Sequence, residues 1–276
     1  MKPAVKPAVS ATPASRGRTW FDAIAGAAPR LEGGPASVLA ADVDIAGDRA
    51  RVISVVADPE NRFVRAREGE VGLDEGWGVA ARVREVIGQD RKPILAIVDV
   101  PSQAYGRAEE LYGIHLACAA AADAYASARL DGHPVVSLVV GRALSGAFLA
   151  HGYQANRVLA LDDPKISIHA MGKQAAARVT KRTVEQLEKL GEEILPLAYD
   201  VRSFAKLGLV HELIGGVDAD APSAADVAKV AERIAAAIAD ARRGPRDLSS
   251  RLASEAAREN RAASIRVREA LARQWS

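Results

Sequence analysis

The sequence predicts an α/β fold built on a mostly parallel sheet. Strand-like and helix-like segments alternate across residues 50–170, the pattern of strands joined by crossover helices. The runs Ile94–Val100 and Val135–Val140 are apolar without alternation, as strands covered on both faces are. After the second run, Gly141 to Gly146 reads as a tight turn of small residues, with a helix starting at once and a further apolar strand at Arg157–Leu161.

Taken in order, residues 1–18 are rich in Pro, Ala and Ser and are expected to form a disordered tail. A short helix over Trp20–Ala28 would dock through Trp20, Phe21 and Ile24. Ser37–Ile45 and Arg51–Ala57, separated by Gly47-Asp48, read as a hairpin. Val79, Val83, Val86 and Ile87 recur at helical spacing within 71–89, and Gly88 stands as a stop. After strand Ile94–Val100 comes the loop Pro101–Gly106, then one long helix from about Arg107 to Leu130, ended by Asp131-Gly132. Ile166–Ala170 is expected as a strand, Lys173–Leu190 as helix, and Val201–Leu213 as a return toward the core. Two helices, 224–243 and 247–274, follow around Gly244-Pro245. Each carries a single apolar stripe, Val227, Val230, Ile234 and Ile238 on the first, and needs a surface to bury it. The expected division is a tail at 1–18, a core at 19–220 and a helical extension at 221–276.

Composition excludes several classes. The net charge of +2 and dispersed basic residues give no argument for nucleic acid. No apolar run reaches the roughly 18 residues of a membrane span, and the N-terminus lacks the apolar middle of a secretion signal. Cys118 is the single cysteine, so no disulfide framework is available within the chain, and an inert buried thiol is the expected state. A cytoplasmic protein is the expectation. The histidines, at 115, 133, 151, 169 and 211, form no metal-ligand spacing, and no metal is expected.

The chemistry centres on Ser145, Gly146 and Ala147. The first N–H groups of a helix lack intrahelical partners, and the peptide dipoles make that end electropositive. Gly146 and Ala147 carry almost no side chain, so a ligand oxygen can approach their amides as in an oxyanion hole. The run Gly141–Gly146 is followed by Ala147-Phe148 instead of Lys-Ser/Thr, which excludes a phosphate-binding loop. Ala143-Leu144-Ser145-Gly146-Ala147 also has the outline of a nucleophile elbow. His151, six residues on, stands about 9 Å along a helix and about 120° round from Ser145, out of direct reach. His169, sharing a strand face with Ser167, is the remaining base for a serine acyl hydrolase. The plainer reading makes Ser145 a helix cap, and His151 and His169 hydrogen-bonded structural residues. Ser102, Gln103, Tyr105 and Gly106 lie in the loop after a core strand, where ligands of parallel α/β sheets gather. Asp99 either faces that cleft or caps the loop.

These residues resemble a known family. Pro134-Val-Val-x-x-Val-x-Gly-x-Ala-x-Ser-Gly146, followed by Arg157-Val158, resembles the central signature of crotonase-fold proteins. Val98-Asp-Val-Pro101 with Gly106 and Glu109-Glu110 resembles their carboxyltransferase branch. With Val100-Pro-Ser-Gln-Ala-Tyr-Gly-Arg107, Leu161-Asp-Asp-Pro164 and His169-Ala-Met-Gly-Lys173, the span 35–215 is similar to the gamma subunit of bacterial malonate decarboxylase. The resemblance implies a crotonase-like ββα superhelix, a beta-subunit partner of similar fold with the active site between them, and an acyl carrier protein subunit. It implies decarboxylation of a malonyl thioester on a phosphoribosyl-dephospho-CoA arm of that carrier, with no cofactor bound by this chain. Crotonase hydratases place glutamates where this sequence has apolar residues, around Phe148-Leu149 and Met171, which disfavours hydration. The expected role of the Gly146 and Ala147 amides is to hold the thioester or carboxylate oxygen, with Ser145 orienting the turn. Ser102, Gln103, Tyr105, Gly106 and His169 would line the pocket. A serine hydrolase, and a structural subunit whose chemistry lies in its partner, are the competing expectations.

Overall fold

The computed structural model describes residues 15–275; of the tail expected at 1–18, residues 1–14 lie outside them. The first helix, α1 (Arg16–Ala25), begins inside the segment expected as tail, because Ser15 caps it through Arg18 N. Trp20 and Phe21 are fully buried, and the Trp20 indole donates to Ala219 O at 3.0 Å.

Strands β1 (Val38–Ile45) and β2 (Asp48–Val55) pair antiparallel, with Ile45 opposite Asp48. The loop is therefore Ala46-Gly47, one residue earlier than expected. Both have positive φ, 53° and 87°, as a two-residue hairpin turn of matching twist requires. Helix α2 (Leu73–Arg84) follows, then strand β3 (Ile94–Val100). The single helix expected from Arg107 is broken: Gly113 at φ 83° separates α3 (Arg107–Leu111) from α4 (Ile114–Asp131).

Strand β4 (Val135–Leu144) runs ten residues, so the expected turn at Gly141 is strand instead. Gly141 is needed for a neighbour: a Cβ there would collide with the buried carboxylate of Asp99. Asp99 accepts from Arg142 N at 3.0 Å and Gly17 N at 3.4 Å, and it also lines a second cavity beside Arg142 and Lys165. Helix α5 (Ser145–Ala150) is only six residues long, and β5 (Arg157–Leu161) and β6 (Ser167–His169) follow. The expected helix over Lys173–Leu190 is a hairpin of α6 (Lys173–Thr180) and α7 (Val184–Glu193). Lys181, at φ 53°, ends the first and Thr183 caps the second. Then come α8 (Val201–Lys206), β7 (Glu212–Ile214) and α9 (Ala224–Arg243). The last expected helix is also split, into α10 (Glu255–Asn260) and α11 (Ala262–Gln274).

The sheet order is β1-β2-β3-β4-β5-β7, parallel from β2 onward, and the upper end of β4 pairs with β6. Alternate side chains of β2 point to opposite faces. Arg51 donates to Arg82 O of α2, whereas Ser54 donates to Gly17 O of α1. Helices α2 and α4 thus cover one face, and α1 and α9 the other. Val230, Ile234, Ala237 and Ile238 of α9 are buried against the core. At the centre His151 is fully buried between Tyr125 Oη at 3.0 Å and Ile97 O at 2.9 Å. Burial pushes its pKa down to about 4, so it is a neutral structural residue, as the plainer reading had it.

Candidate active site

The carboxyl ends of β3 and β4 open into a cavity of about 710 Å³, within the size range of small-molecule sites. The loop after β3 is pinned to the segment before α2. Val71 N donates to Ser102 O at 3.0 Å and Ala104 N to Val71 O at 2.9 Å. That clamp places Gln103 over the start of α5.

Ser102, Gln103, Tyr105, Ser145 and Gly146 all line the cavity, together with Leu144, Ser167, Met171 and Tyr199. Residues more than forty apart in sequence are brought together here. Three expected members stand elsewhere. Ala147 is fully buried beneath the wall and does not line the cavity. Gly106 starts α3 and is likewise outside the lining; a side chain there would meet the Glu109 carboxylate. His169 stacks on Tyr199, ring centroids 4.0 Å apart, and its Nδ1 engages Met171. Burial lowers its pKa.

Of the two expected free amides, that of Gly146 is occupied. Gly146 N donates to Gln103 Oε1 at 2.7 Å. An N–H donor selects the oxygen end of the amide, so Gln103 Nε2 is the end left without a partner among the described residues. The contact depends on glycine, since a Cβ at 146 would stand 2.9 Å from Gln103 Oε1. A lining residue of the cavity, Gln103, thus has its amide oxygen held by a main-chain N–H.

Ser145 is the first helical residue instead of the cap, and its φ is 58°. That conformation strains a non-glycine residue. Among the described residues its hydroxyl has no hydrogen-bond partner. Both ring nitrogens of His151 are engaged elsewhere, and His169, set opposite Leu144 by the β4–β6 pairing, turns its Nδ1 to Met171. A nucleophile needs a free base.

Sequence reasoning missed the charged lining. Arg142, Lys165, Lys173 and Arg178 face the cavity, and Glu70 is the single carboxylate lining it among the described residues. Arg65 holds Glu70 by two 2.6 Å contacts and lies 3.9 Å over the Tyr105 ring. Burial raises the pKa of Glu70 against that pull. Arg142 was visible as the lone charge in an otherwise apolar or small-residue run; the others needed the fold. Arg142, Lys165 and Lys173 pair with Asp99, Asp220 and Glu188, and Arg178 has no ion pair among the described residues. The lining itself therefore carries more cations than carboxylates, a balance that favours an anionic substrate. Cys118 is partly buried and its pKa is raised to about 11, mainly by burial, so it is no nucleophile. No group of three or more His, Cys, Asp or Glu stands ready for a metal, and no helix is long and apolar enough to cross a membrane, among the described residues.

A hairpin leading a parallel sheet, with a ligand cavity at its carboxyl end beside a Ser-Gly helix start, defines a crotonase-like carboxyltransferase-type protein. The fold matches transcarboxylase 12S at TM-score 0.60 and 22% identity, covering 81% of this chain and 40% of that one. Residues 66–275 match the family model for the malonate decarboxylase gamma subunit, and the chain belongs to that family. It is 54% identical to a chain of a Pseudomonas malonate decarboxylase hetero-tetramer crystallised with coenzyme A, at TM-score 0.90. That match covers 95% of this chain and 100% of the other. It is also 39% identical over 165 residues to the malonyl-S-ACP:biotin-protein carboxyltransferase of Malonomonas rubra, covering 57% of this chain. The chain spans 56% of that relative's length.

Proposed function

We propose that this chain is the gamma subunit of a malonate decarboxylase and forms one wall of the site where a malonyl thioester loses carbon dioxide. The observation that carries this is the Gly146–Gln103 relay at the wall of a cationic cavity. The other wall belongs to a beta subunit of similar fold. The substrate arrives on an acyl carrier protein through a phosphoribosyl-dephospho-CoA arm, and the complex works in the cytoplasm.

In the reaction the bond between the carboxylate and the α-carbon breaks. Its electron pair moves onto the thioester oxygen, carbon dioxide leaves, and a proton from water or the partner converts the enolate to the acetyl thioester. The chain's part is to hold charge. Gln103 Nε2 donates to the oxygen that becomes negative, and Gly146 N–H keeps the amide aimed. Ser145 shapes that turn, and Ser102, Tyr105 and Tyr199, the last backed by the stacked His169, shape the walls around the arm. The cations of the cavity attract the malonyl carboxylate. A fixed donor of this kind is worth about 3–4 kcal/mol in the transition state.

The test is to co-purify the chain with the beta and carrier subunits and assay malonyl-thioester decarboxylation with and without avidin. Decarboxylation that avidin leaves unchanged is expected. Activity that requires a biotin carrier would assign the chain the carboxyl transfer named for the Malonomonas relative instead. No turnover by the complete complex would refute the reading.

A further inference from the structure

The hairpin of α6 and α7 stands apart from the main core. It has a small core of its own, Ala176, Ala177 and Leu187 with Val184 packed on it. One edge of α6 lines the cavity through Lys173, Gln174, Ala175 and Arg178. Two residues beyond Arg178, the chain begins to line a shallow outer groove: Thr180, Lys181 and Arg182, with Gln186, Lys189, Leu190 and Glu193 of α7.

Helical spacing sorts the charges of α7. Gln186, Lys189, Leu190 and Glu193 fall at i, i+3, i+4 and i+7, one face of the helix, and that face lines the groove. Glu185, Glu188 and Glu192 fall on the adjoining face, where Glu188 is taken by Lys173 at 2.6 Å. The groove therefore gathers Lys181, Arg182 and Lys189 against Glu193 alone. None of these three cations has an ion pair among the described residues. Nearby surface cations do: Lys165 pairs with Asp220 at 2.8 Å and Arg202 with Asp162 at 2.7 Å. Val179, 70% exposed, adds an apolar spot beside them. Three like charges left unpaired in one groove repel one another, and a surface bearing carboxylates relieves that repulsion while steering its own approach.

We infer that this groove is the landing surface for an acidic face of the carrier that delivers the acyl thioester. The inference rests on the functional reading above and names where its carrier stands. A body seated at Thr180–Arg182 is adjacent to the Arg178 wall of the cavity, so an arm tethered to it has a short path inward.

The experiment uses the assembled complex with Arg182→Glu and Lys189→Glu combined; Lys181 is left alone because its positive φ ends α6. KM is measured for the malonyl group on the carrier and on a short pantetheine thioester, and carrier binding is measured separately. The variant should raise KM for the carrier-borne substrate on the order of tenfold and weaken carrier binding to match. Added salt should weaken the unaltered complex and hardly affect the variant. Turnover of the short thioester should be unchanged. Equal KM on the carrier for both proteins would overturn the inference. Loss of the beta subunit from the variant complex would overturn it too, marking the groove as a subunit interface. An unaltered complex that binds the carrier but releases no carbon dioxide would instead overturn the functional reading.

Discussion

The two ends of β4 are built on different terms. Below Gly141 every residue is buried, the neighbours pair in regular parallel register, and His151, packed close by, is neutral and fully hydrogen-bonded. Above Gly141 the strand leaves that register, pairs with the three residues of β6, and gives way at once to a helix whose first residue, Ser145, has positive φ. There the polar contacts come from loops and from a helical hairpin with its own small core. The lower end supplies rigidity; the upper end brings Gln103 to the cavity with an Nε2 that has no partner among the described residues. Substitutions below should therefore change stability, and substitutions above should change turnover.

The largest effect is expected at the junction. Gly141→Ala drives a methyl group into the buried Asp99 carboxylate, at a cost of about 3 kcal/mol or more. Urea unfolding checks this, and a wild-type midpoint would break the division between the two ends.

The second test uses pH. The pKa of His151 falls from 6.5 to about 4 on folding, so the unfolded chain binds the extra proton between those values. Its stabilising contribution is whole above the unfolded pKa and is lost as pH falls toward the folded one. The loss is on the order of 3 kcal/mol. The slope of unfolding free energy against pH should flatten in His151→Gln. An unchanged slope would show that His151 is not the group responsible.

The smallest effect belongs to Ser145→Ala. Decarboxylation within about threefold of wild type is expected, whereas a serine nucleophile would cost roughly a million-fold. A loss of that size would revive the hydrolase alternative.

Most of the lower end was legible in the sequence. The runs Ile94–Val100 and Val135–Val140 have no polar alternation because both faces are covered, and that alone places them in the sheet. The breaks were harder. Gly113 interrupts a helix pattern that its neighbours continue, and Lys181 adopts a positive φ that no sequence rule expects of lysine. Gly141 reads as a turn in the sequence because glycine serves two purposes; here it makes room for a side chain 42 residues earlier, at Asp99. At the upper end Ser145 and Gly146 were visible from their strand-to-helix context. Their partnership with Gln103 was not, since it joins residues 43 apart through one side-chain amide. Lys165, Lys173 and Arg178 look like ordinary surface charges until the fold gathers them around one cavity.

The central claim is that Gln103 Nε2, held by Gly146, donates to the oxygen that turns negative. Turnover of a malonyl thioester by the assembled complex carrying Gln103→Leu tests it most directly, with thermal unfolding as the control for folding. The account predicts a kcat about 10²- to 10³-fold lower with an unchanged melting temperature. A well-folded variant that matches or exceeds wild-type turnover would contradict it, showing that Gln103 merely covers the Gly146 amide.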